Sequence, residues 1–592
     1  MKDRRNGRKK LPVKLIIQAS NLNKATSFFA LKKPSPFAVV TILPSVGSKE
    51  EAIIIGQTES IPNTLHPRWI QYFILEYEFG KDTFLDITIY DDTTKKKLGS
   101  GKIEAGRILG KRHKSTASRL KPSGTLFAQI VPFELPSVAR SVHFALEGEL
   151  RSKLKYYYEV HRRDFFSSSA LWTPIYRSEP KRVHDTVEWN KCSIPLYDIA
   201  TNKLRASGVD GDATDCPIRI MFWEHRKASR HQVLGSFETT VAGLVQACRH
   251  ERKLKLNEGS KDYVKVTSLH FSGENEDNGD VEDLGSDLPP PITEPTPQDP
   301  PPKPTFIDYC VGGCDLDLNV AIDFTSSNGN ALNPGSPHYL DPCSLNQYQK
   351  AIIAIGSIVT KYDSDQRSQV LGFGAKYGGI VRHVFQAGDE SHVTGVKGIL
   401  EAYRQTFTRG LIMSGPVVFT NVIKYAANKA RIKLEKAQAE QKLSYSILLI
   451  LTHGCVSDVE ATKNALKEAA DSPLSIVIVG IGENDFSAME FLDDFQNEEG
   501  GRDICNFVKF EADKDRTVLT EDALNEIPTQ LTSYFLSRDI LPSQSDPEEE
   551  EIEVEDFTAY PECIVTHSFD PDGGPCLSER ADSTPITQQY DW

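Results

Sequence analysis

The sequence predicts a multidomain protein with two all-β sandwiches followed by a doubly wound α/β domain. Three observations carry this. Short strands with period-two alternation fill the first 272 residues, a block within them repeats at a fixed offset, and after a Pro-rich break near-continuous apolar strands alternate with helices. The chain has 592 residues, enough for about four domains at ~150 residues each. With 39% apolar residues, 28 Phe, 20 Tyr and 5 Trp it can bury several cores, which excludes wholesale disorder. The longest apolar runs, such as Ile447 to Leu451, fall far short of the ~18 residues a membrane-spanning helix needs. The apolar stretch behind the basic N-terminus is too short for a signal peptide. None of the ten Cys sits in a C-x-x-C pair, which argues against zinc modules and a disulfide scaffold, and for a reducing, cytoplasmic setting.

Element by element, residues 1–10 read as a basic arm and 11–136 as the first sandwich. Leu85, Ile87 and Ile89 alternate with Asp86, Thr88 and Tyr90, and the other short runs end in Pro, Gly or Ser. The second sandwich, 138–272, repeats the first. Glu59 and Trp69 recur as Glu179 and Trp189, and Leu98-Gly99-Ser100 recurs as Leu234-Gly235-Ser236. Residues 273–304 form a linker, with seven acids between 274 and 287 and nine prolines between 289 and 304. The α/β domain spans 305–542. Its strands are expected near Leu316 to Phe324, Gln369 to Phe373, Tyr445 to Leu451 and Leu474 to Val479. Helices fall near Asn346 to Tyr362, Thr394 to Phe407, Phe419 to Gln438 and Leu519 to Ser537. Residues 543–592 are acidic and aperiodic, the pattern of a disordered tail.

Charge divides unevenly along the chain. Residues 1–272 hold 45 Lys+Arg against 28 Asp+Glu, whereas the remainder holds 23 against 54. A basic front half points to an anionic surface as partner. Its prominent groups are the arm (Arg4, Arg5, Arg8, Lys9, Lys10, Lys14) and the run Lys95-Lys96-Lys97.

The segment Asp323-Phe324-Thr325-Ser326-Ser327 ends the first α/β strand. One carboxylate and two hydroxyls on a sharp turn present hard oxygen ligands suited to a small divalent cation. The pattern resembles the metal-ion-dependent adhesion site of von Willebrand factor A domains. With Gly372-Phe373-Gly374-Ala375, Leu448-Leu449-Ile450-Leu451-Thr452, Ile478-Val479-Gly480-Ile481-Gly482 and Ser537-Arg538-Asp539-Ile540-Leu541-Pro542, the α/β part resembles the copine family. Asn63-Thr64-Leu65-His66-Pro67-Arg68-Trp69 is similar to a C2-domain motif. The resemblance implies two C2-type sandwiches before a von Willebrand factor A-like domain, Ca²⁺ in the sandwiches and Mg²⁺ in the A domain. It further implies anionic phospholipid and protein partners rather than nucleic acid, at the cytoplasmic face of a membrane, the plasma membrane first.

The chain departs from the family where metal would bind. Asp323, Thr325 and Ser327 remain, but the family's second-loop Thr is Val417 and its third-loop Asp is His453, whose imidazole suits zinc better than Mg²⁺. Thr420 and Asp458 are the nearby groups that a loop shift could recruit. In the first sandwich only Asp91 and Asp92 survive as a remnant Ca²⁺ site, and in the second Glu224-His225-Arg226 replaces an Asp-x-Asp. Ca²⁺ takes six to eight oxygens, so weak or absent binding is expected at both metals' sites. The lipid-binding residues expected instead are Lys95, Lys96, Lys97, Lys9 and Lys10, at about 1 kcal/mol each near an anionic leaflet.

No catalytic constellation emerges. Gly372-x-Gly374 lacks dinucleotide-loop spacing, nothing orients His453 toward Cys455, and Cys310-x-x-x-Cys314 reads as two ordinary thiols. Only Cys563 and Cys576 follow the A domain, too few for a RING finger. The expectation is a non-enzymatic adaptor, docked on lipid by its sandwiches and recruiting proteins through its A domain. The alternatives are a cytosolic scaffold whose basic sandwiches bind acidic proteins, and an ordinary Ca²⁺-dependent phospholipid binder.

Overall fold

The computed structural model describes residues 10–23, 33–44, 51–111, 115–133, 140–150, 154–166, 169–184, 186–200, 210–226, 231–257, 261–272, 303–377, 379–492, 502–511, 516–542 and 554–555. The linker expected at 273–304 lies almost wholly outside these residues.

The first sandwich contains β1 (Leu11–Ser20), β2 (Pro36–Ile42), β3 (Ile53–Gln57), β4 (Phe73–Tyr77), β5 (Phe84–Asp91), β6 (Lys97–Glu104), α1 (Ala105–Gly110), β7 (Ser115–Arg119) and β8 (Thr125–Pro132). Its antiparallel sheets run β7-β8-β1-β4 and β3-β2-β5-β6. The alternation read from sequence is the packing itself. Leu85, Ile87 and Ile89 are all fully buried between the sheets.

The second sandwich contains β9 (Ser141–Glu149), β10 (Lys155–Phe166), β11 (Ser169–Arg177), β12 (Cys192–Pro195), β13 (Ile218–Glu224), β14 (Gln232–Thr239), α2 (Val241–Arg249) and β15 (Tyr263–Ser272). One sheet runs β11-β10-β13-β14, and the other is built around β12, β9 and β15. The sequence repeat marks a repeated latch. Trp69 Nε1 donates to the Pro36 carbonyl at 3.2 Å, and Trp189 Nε1 to the Tyr156 carbonyl at 3.1 Å. Glu59 Oε1 accepts from Ile70 N and Glu179 Oε1 from Asn190 N, both at 2.7 Å. These residues recur because each satisfies a buried or turn backbone group that the fold would otherwise leave unpaired.

The α/β domain contains α3 (Phe306–Val311), β16 (Cys314–Asp323), α4 (Gln347–Val359), β17 (Arg367–Phe373), α5 (Gly395–Phe407), α6 (Thr420–Ala439), β18 (Leu443–Thr452), α7 (Val459–Ala469), β19 (Leu474–Gly480), β20 (Cys505–Lys509), α8 (Arg516–Leu524) and α9 (Ile527–Leu536). Among the described residues, five parallel strands run β17-β16-β18-β19-β20. Every residue of β18 and β19 is buried, because helices cover both sheet faces. Successive side chains feed opposite cores: Leu449, Leu451, Val477 and Val479 one, Leu448, Ile450, Ile476 and Ile478 the other. The strand order reverses between β16 and β18, the place where ligands meet doubly wound sheets.

Two expectations need revision. The single helix expected over Leu519 to Ser537 is two, α8 and α9. Pro528 stands in the first turn of α9, where its missing N–H costs nothing; within one long helix it would leave the carbonyl four residues earlier unmatched. Within the tail, Val554–Glu555 pairs parallel with β7 at Ala117 and Ser118; the other tail residues lie outside those described.

Candidate functional site

Asp323 ends β16 at the strand-order reversal and is fully buried. Its Oδ1 accepts from Thr325 N at 2.8 Å and Thr325 Oγ1 at 2.6 Å. Its Oδ2 accepts from Thr452 Oγ1 at 2.9 Å and His453 N at 3.1 Å, just beyond β18. Four protein donors thus occupy the carboxylate. Thr325 Oγ1 and Ser327 Oγ, 2.8 Å apart, bond each other. The structure therefore brings Asp323, Thr325, Ser327 and His453 together as the sequence suggested, but as a hydrogen-bonded knot.

Val417 is buried beside them: a Cβ on Gly454 would lie 3.1 Å from Val417 Cγ2 and 3.3 Å from Ser327 Oγ. An apolar side chain fills the crevice next to the hydroxyls. His453 is pushed down from its ordinary pKa by burial, against the pull of Asp323 and a backbone hydrogen bond at Ser327. Asn484 Nδ2 donates to the His453 carbonyl at 2.5 Å, and Gly482 lies so close that a Cβ there would stand 2.9 Å from the ring. Thr420 and Asp458 do not reach the knot: Thr420 Oγ1 bonds the Asp458 carboxylate, which also accepts from Phe419 N at 3.3 Å and Thr462 Oγ1 at 3.0 Å. Asp458 ties the starts of α6 and α7 together.

The knot rests on a residue that sequence reasoning missed. His338, fully buried, donates from Nε2 to the Asp323 carbonyl at 2.7 Å and accepts at Nδ1 from Tyr403 Oη at 2.9 Å. It stacks on Tyr348 at 4.1 Å and on Phe324 at 5.3 Å. Burial pushes its pKa down to about 3, against the effect of the Asp323 carbonyl, so the ring is neutral.

These donors do not fit a hard divalent cation. Binding one would require the carboxylate to give up its present donors, Val417 offers no lone pair, and an imidazole stands where a second carboxylate is needed. Among the described residues no group of three or more His, Cys, Asp or Glu is placed to hold a metal.

At the upper end of the first sandwich, Asp91 is buried and accepts from Ser35 N at 2.8 Å, Thr94 Oγ1 at 2.6 Å and Thr94 N at 3.2 Å. Burial alone would raise its pKa, but these donors, Thr94 Oγ1 first, hold it below the usual value. Asp91 organises the turn rather than facing solvent as a ligand. Asp92 pairs with Lys95 Nζ at 2.7 Å, and Lys95 takes the left-handed conformation (φ 56°). In the second sandwich Glu224 Oε1 accepts from Arg226 Nε at 2.7 Å.

Lys96 and Lys97 stand exposed on this edge, as do Lys33 and Lys121 from two neighbouring turns. Lys33 N donates to Asn63 Oδ1, and Lys121 bridges to Ser100. Neither was foreseen, because neither belongs to a basic run as long as the arm or Lys95-Lys96-Lys97. The basic arm fares differently. Lys9 lies outside the described residues. Lys10 precedes β1 at the opposite end of the sandwich, where it pairs with Glu76 at 2.7 Å. Lys14 is not a surface charge: it is buried against the second sandwich, 2.9 Å from Asp198 Oδ1, with the Tyr72 ring centroid 3.7 Å from its ammonium.

Comparison with known proteins fits this architecture. A C2-domain family model matches residues 11–120, and a Copine family model matches residues 336–543. Copine-B of Dictyostelium discoideum is 30% identical over 533 residues, covering 85% of this chain and 93% of that protein. Copine-E of the same organism is 29% identical over 513 residues, covering 83% and 81%. Among solved structures, the paired, calcium-bound C2 domains of extended synaptotagmin 2 align with 14% identity over 44% of this chain and 96% of that one, with a TM-score of 0.18, which adds nothing to the fold. With paired sandwiches, an α/β domain and a relative matched along nearly its whole length, this chain belongs to the copine family.

Proposed function

We propose that this chain is a non-enzymatic adaptor that docks on anionic phospholipid by charge alone, without Ca²⁺, and offers its A domain to protein partners at the cytoplasmic face of a membrane. The observation that carries the reading is the state of the upper edge of the first sandwich. Both of its carboxylates are engaged by protein donors, Asp91 by its own turn and Asp92 by Lys95, while Lys33, Lys96, Lys97 and Lys121 stand exposed. Four such lysines near an anionic leaflet contribute about 4 kcal/mol, roughly a thousandfold in partition, strongly screened by salt. In the A domain the engaged Asp323 carboxylate, Val417 and His453 favour partners held by direct contact over metal-bridged recognition.

The test uses the full-length chain with the substitutions Lys96→Glu, Lys97→Glu and Lys121→Glu combined. The parent is expected to co-sediment with phosphatidylserine vesicles and not with neutral ones. The triple variant should lose at least a hundredfold in partition. A parent that binds neither vesicle would instead identify a soluble scaffold.

A further inference from the structure

The first sandwich and the α/β domain are separated in sequence by the whole second sandwich, yet they share one hydrophobic core. Tyr77, Phe79, Ile108 and Leu109 of the sandwich cluster with Phe306 and Tyr362 of the α/β domain, while the second sandwich keeps a core of its own. Phe79 meets Phe306 and Tyr362 edge-on, at centroid distances of 5.0 and 5.2 Å, and the hydroxyls of Tyr77 and Tyr362 bond each other. Lys361 Nζ lies 2.5 Å from Asp82 Oδ1 and 3.1 Å from Glu104 Oε2. Glu104 also caps α1, accepting from Gly106 N and Arg107 N at 2.9 Å each. Two glycines show how closely the backbones approach. A Cβ on Gly110 would fall 1.6 Å from the Lys361 carbonyl oxygen, and one on Gly80 2.9 Å from that of Thr520.

Each element of this joint lies at one particular end of its domain. In the sandwich, the β4–β5 turn and α1 lie opposite the turn that carries Lys95, Lys96 and Lys97. In the α/β domain, α3 leads into the start of β16 and the Thr360–Tyr362 turn lies just before β17. The joint therefore sits at the amino ends of the parallel strands, opposite Asp323.

We infer that the first sandwich and the A domain form one rigid arm, joined lower end to lower end, with the lysine edge at one pole and the Asp323–His453 edge at the other. Eight-residue strands stacked end to end on ten-residue strands put the poles on the order of 60 Å apart. Linear domain order conceals this, because the second sandwich lies between the two coupled units in sequence. On a bilayer, a consequence that rests on the lipid-docking reading above, the arm holds the partner edge away from the lipid and clear for a large protein.

The test is a distance measurement on the full-length chain in solution, without vesicles. Donor and acceptor are placed at Leu332 (83% exposed) and Lys96 through unnatural amino acids, which avoids the native cysteines. Single-molecule energy transfer should show one narrow population on the order of 60 Å. Gly110→Ala should broaden it, since the new methyl wedges the joint open; alanine favours the helix that carries it, so α1 itself is not weakened. Lys361→Met, which takes the ammonium from Glu104 and leaves Asp82 with only Arg516 at 3.8 Å, should broaden it as well. A broad distribution in the parent, or narrow distributions in both variants, would overturn the rigid arm. Loss of vesicle binding would remove the lipid reading alone and leave this measurement standing.

Discussion

Replacing Asp323 by Ala separates a structural carboxylate from a metal ligand. The substitution removes the acceptor for four donors. Two of these have alternatives: Thr325 Oγ1 already lies 2.8 Å from Ser327 Oγ, and Thr452 Oγ1 2.9 Å from the Gly454 carbonyl. The backbone N–H groups of Thr325 and His453 lose the acceptor they share. At about 1–3 kcal/mol for each buried unsatisfied donor, the cost comes to about 4 kcal/mol. In a domain of this size that lowers the melting temperature by on the order of 10 °C. The assay is calorimetry or urea unfolding of full-length parent and variant, each in 10 mM Mg²⁺ and in chelator. A Mg²⁺ site with a Kd near 0.1 mM would stabilise the parent by about 2.7 kcal/mol under these conditions. The expected Mg²⁺ effect is zero in both proteins, with the same loss in the variant under either condition. Stabilisation of the parent by Mg²⁺ that disappears in the variant would show Asp323 to be a metal ligand instead.

Rebuilding the site gives the converse expectation. Val417→Thr with His453→Asp should create Mg²⁺-dependent stabilisation that neither single change produces, read by the same unfolding assay. Asp363 is buried, and burial, opposed by Lys433 but reinforced by Asp317 and Asp365, pushes its carboxyl up to about 8. Folded protein therefore holds that proton more tightly than unfolded protein, and stability falls as pH rises from about 4 toward 8. Between pH 5.5 and 8 the fall is at most about 3 kcal/mol, and Asp363→Asn should flatten most of it in urea midpoints taken at the two pH values. Lys14→Ala should cost about 3–5 kcal/mol by leaving Asp198 buried without its cation, while vesicle binding per folded molecule stays unchanged; a selective loss of lipid binding would return Lys14 to the surface.

The fold was legible where a local pattern is also the packing pattern. The almost wholly apolar, short runs of β18 and β19 read as buried strands, and the 120-residue offset between Glu59-Trp69 and Glu179-Trp189 marks two copies of one hydrogen-bonded latch. Residue type at the metal-site positions can also be read directly from sequence: Val417 has no lone pair and His453 offers an imidazole where the resemblance implies oxygen ligands. What escaped depends on contacts between distant segments. Lys14 alternates with Val13 and Leu15 and so points to the outer face of β1; only the placement of Tyr197 and Asp198 turns that face into an interface. His338 sits in a Pro- and Gly-rich loop with no periodicity to mark it as buried. Lys33 and Lys121 join Lys96 and Lys97 only when three turns meet at one end of the sandwich. Gly110 carries no signal of its own, since a glycine at the end of a helix is ordinary until another backbone is found against it.

The central claim is that lipid docking rests on lysines rather than on bound Ca²⁺. It is tested most directly by co-sedimentation of the full-length chain with phosphatidylserine vesicles in Ca²⁺ and in chelator, at low and at high salt. Docking by lysines gives equal binding in Ca²⁺ and in chelator, and its loss at high salt in both. Binding that appears only with micromolar Ca²⁺ and survives high salt would contradict it.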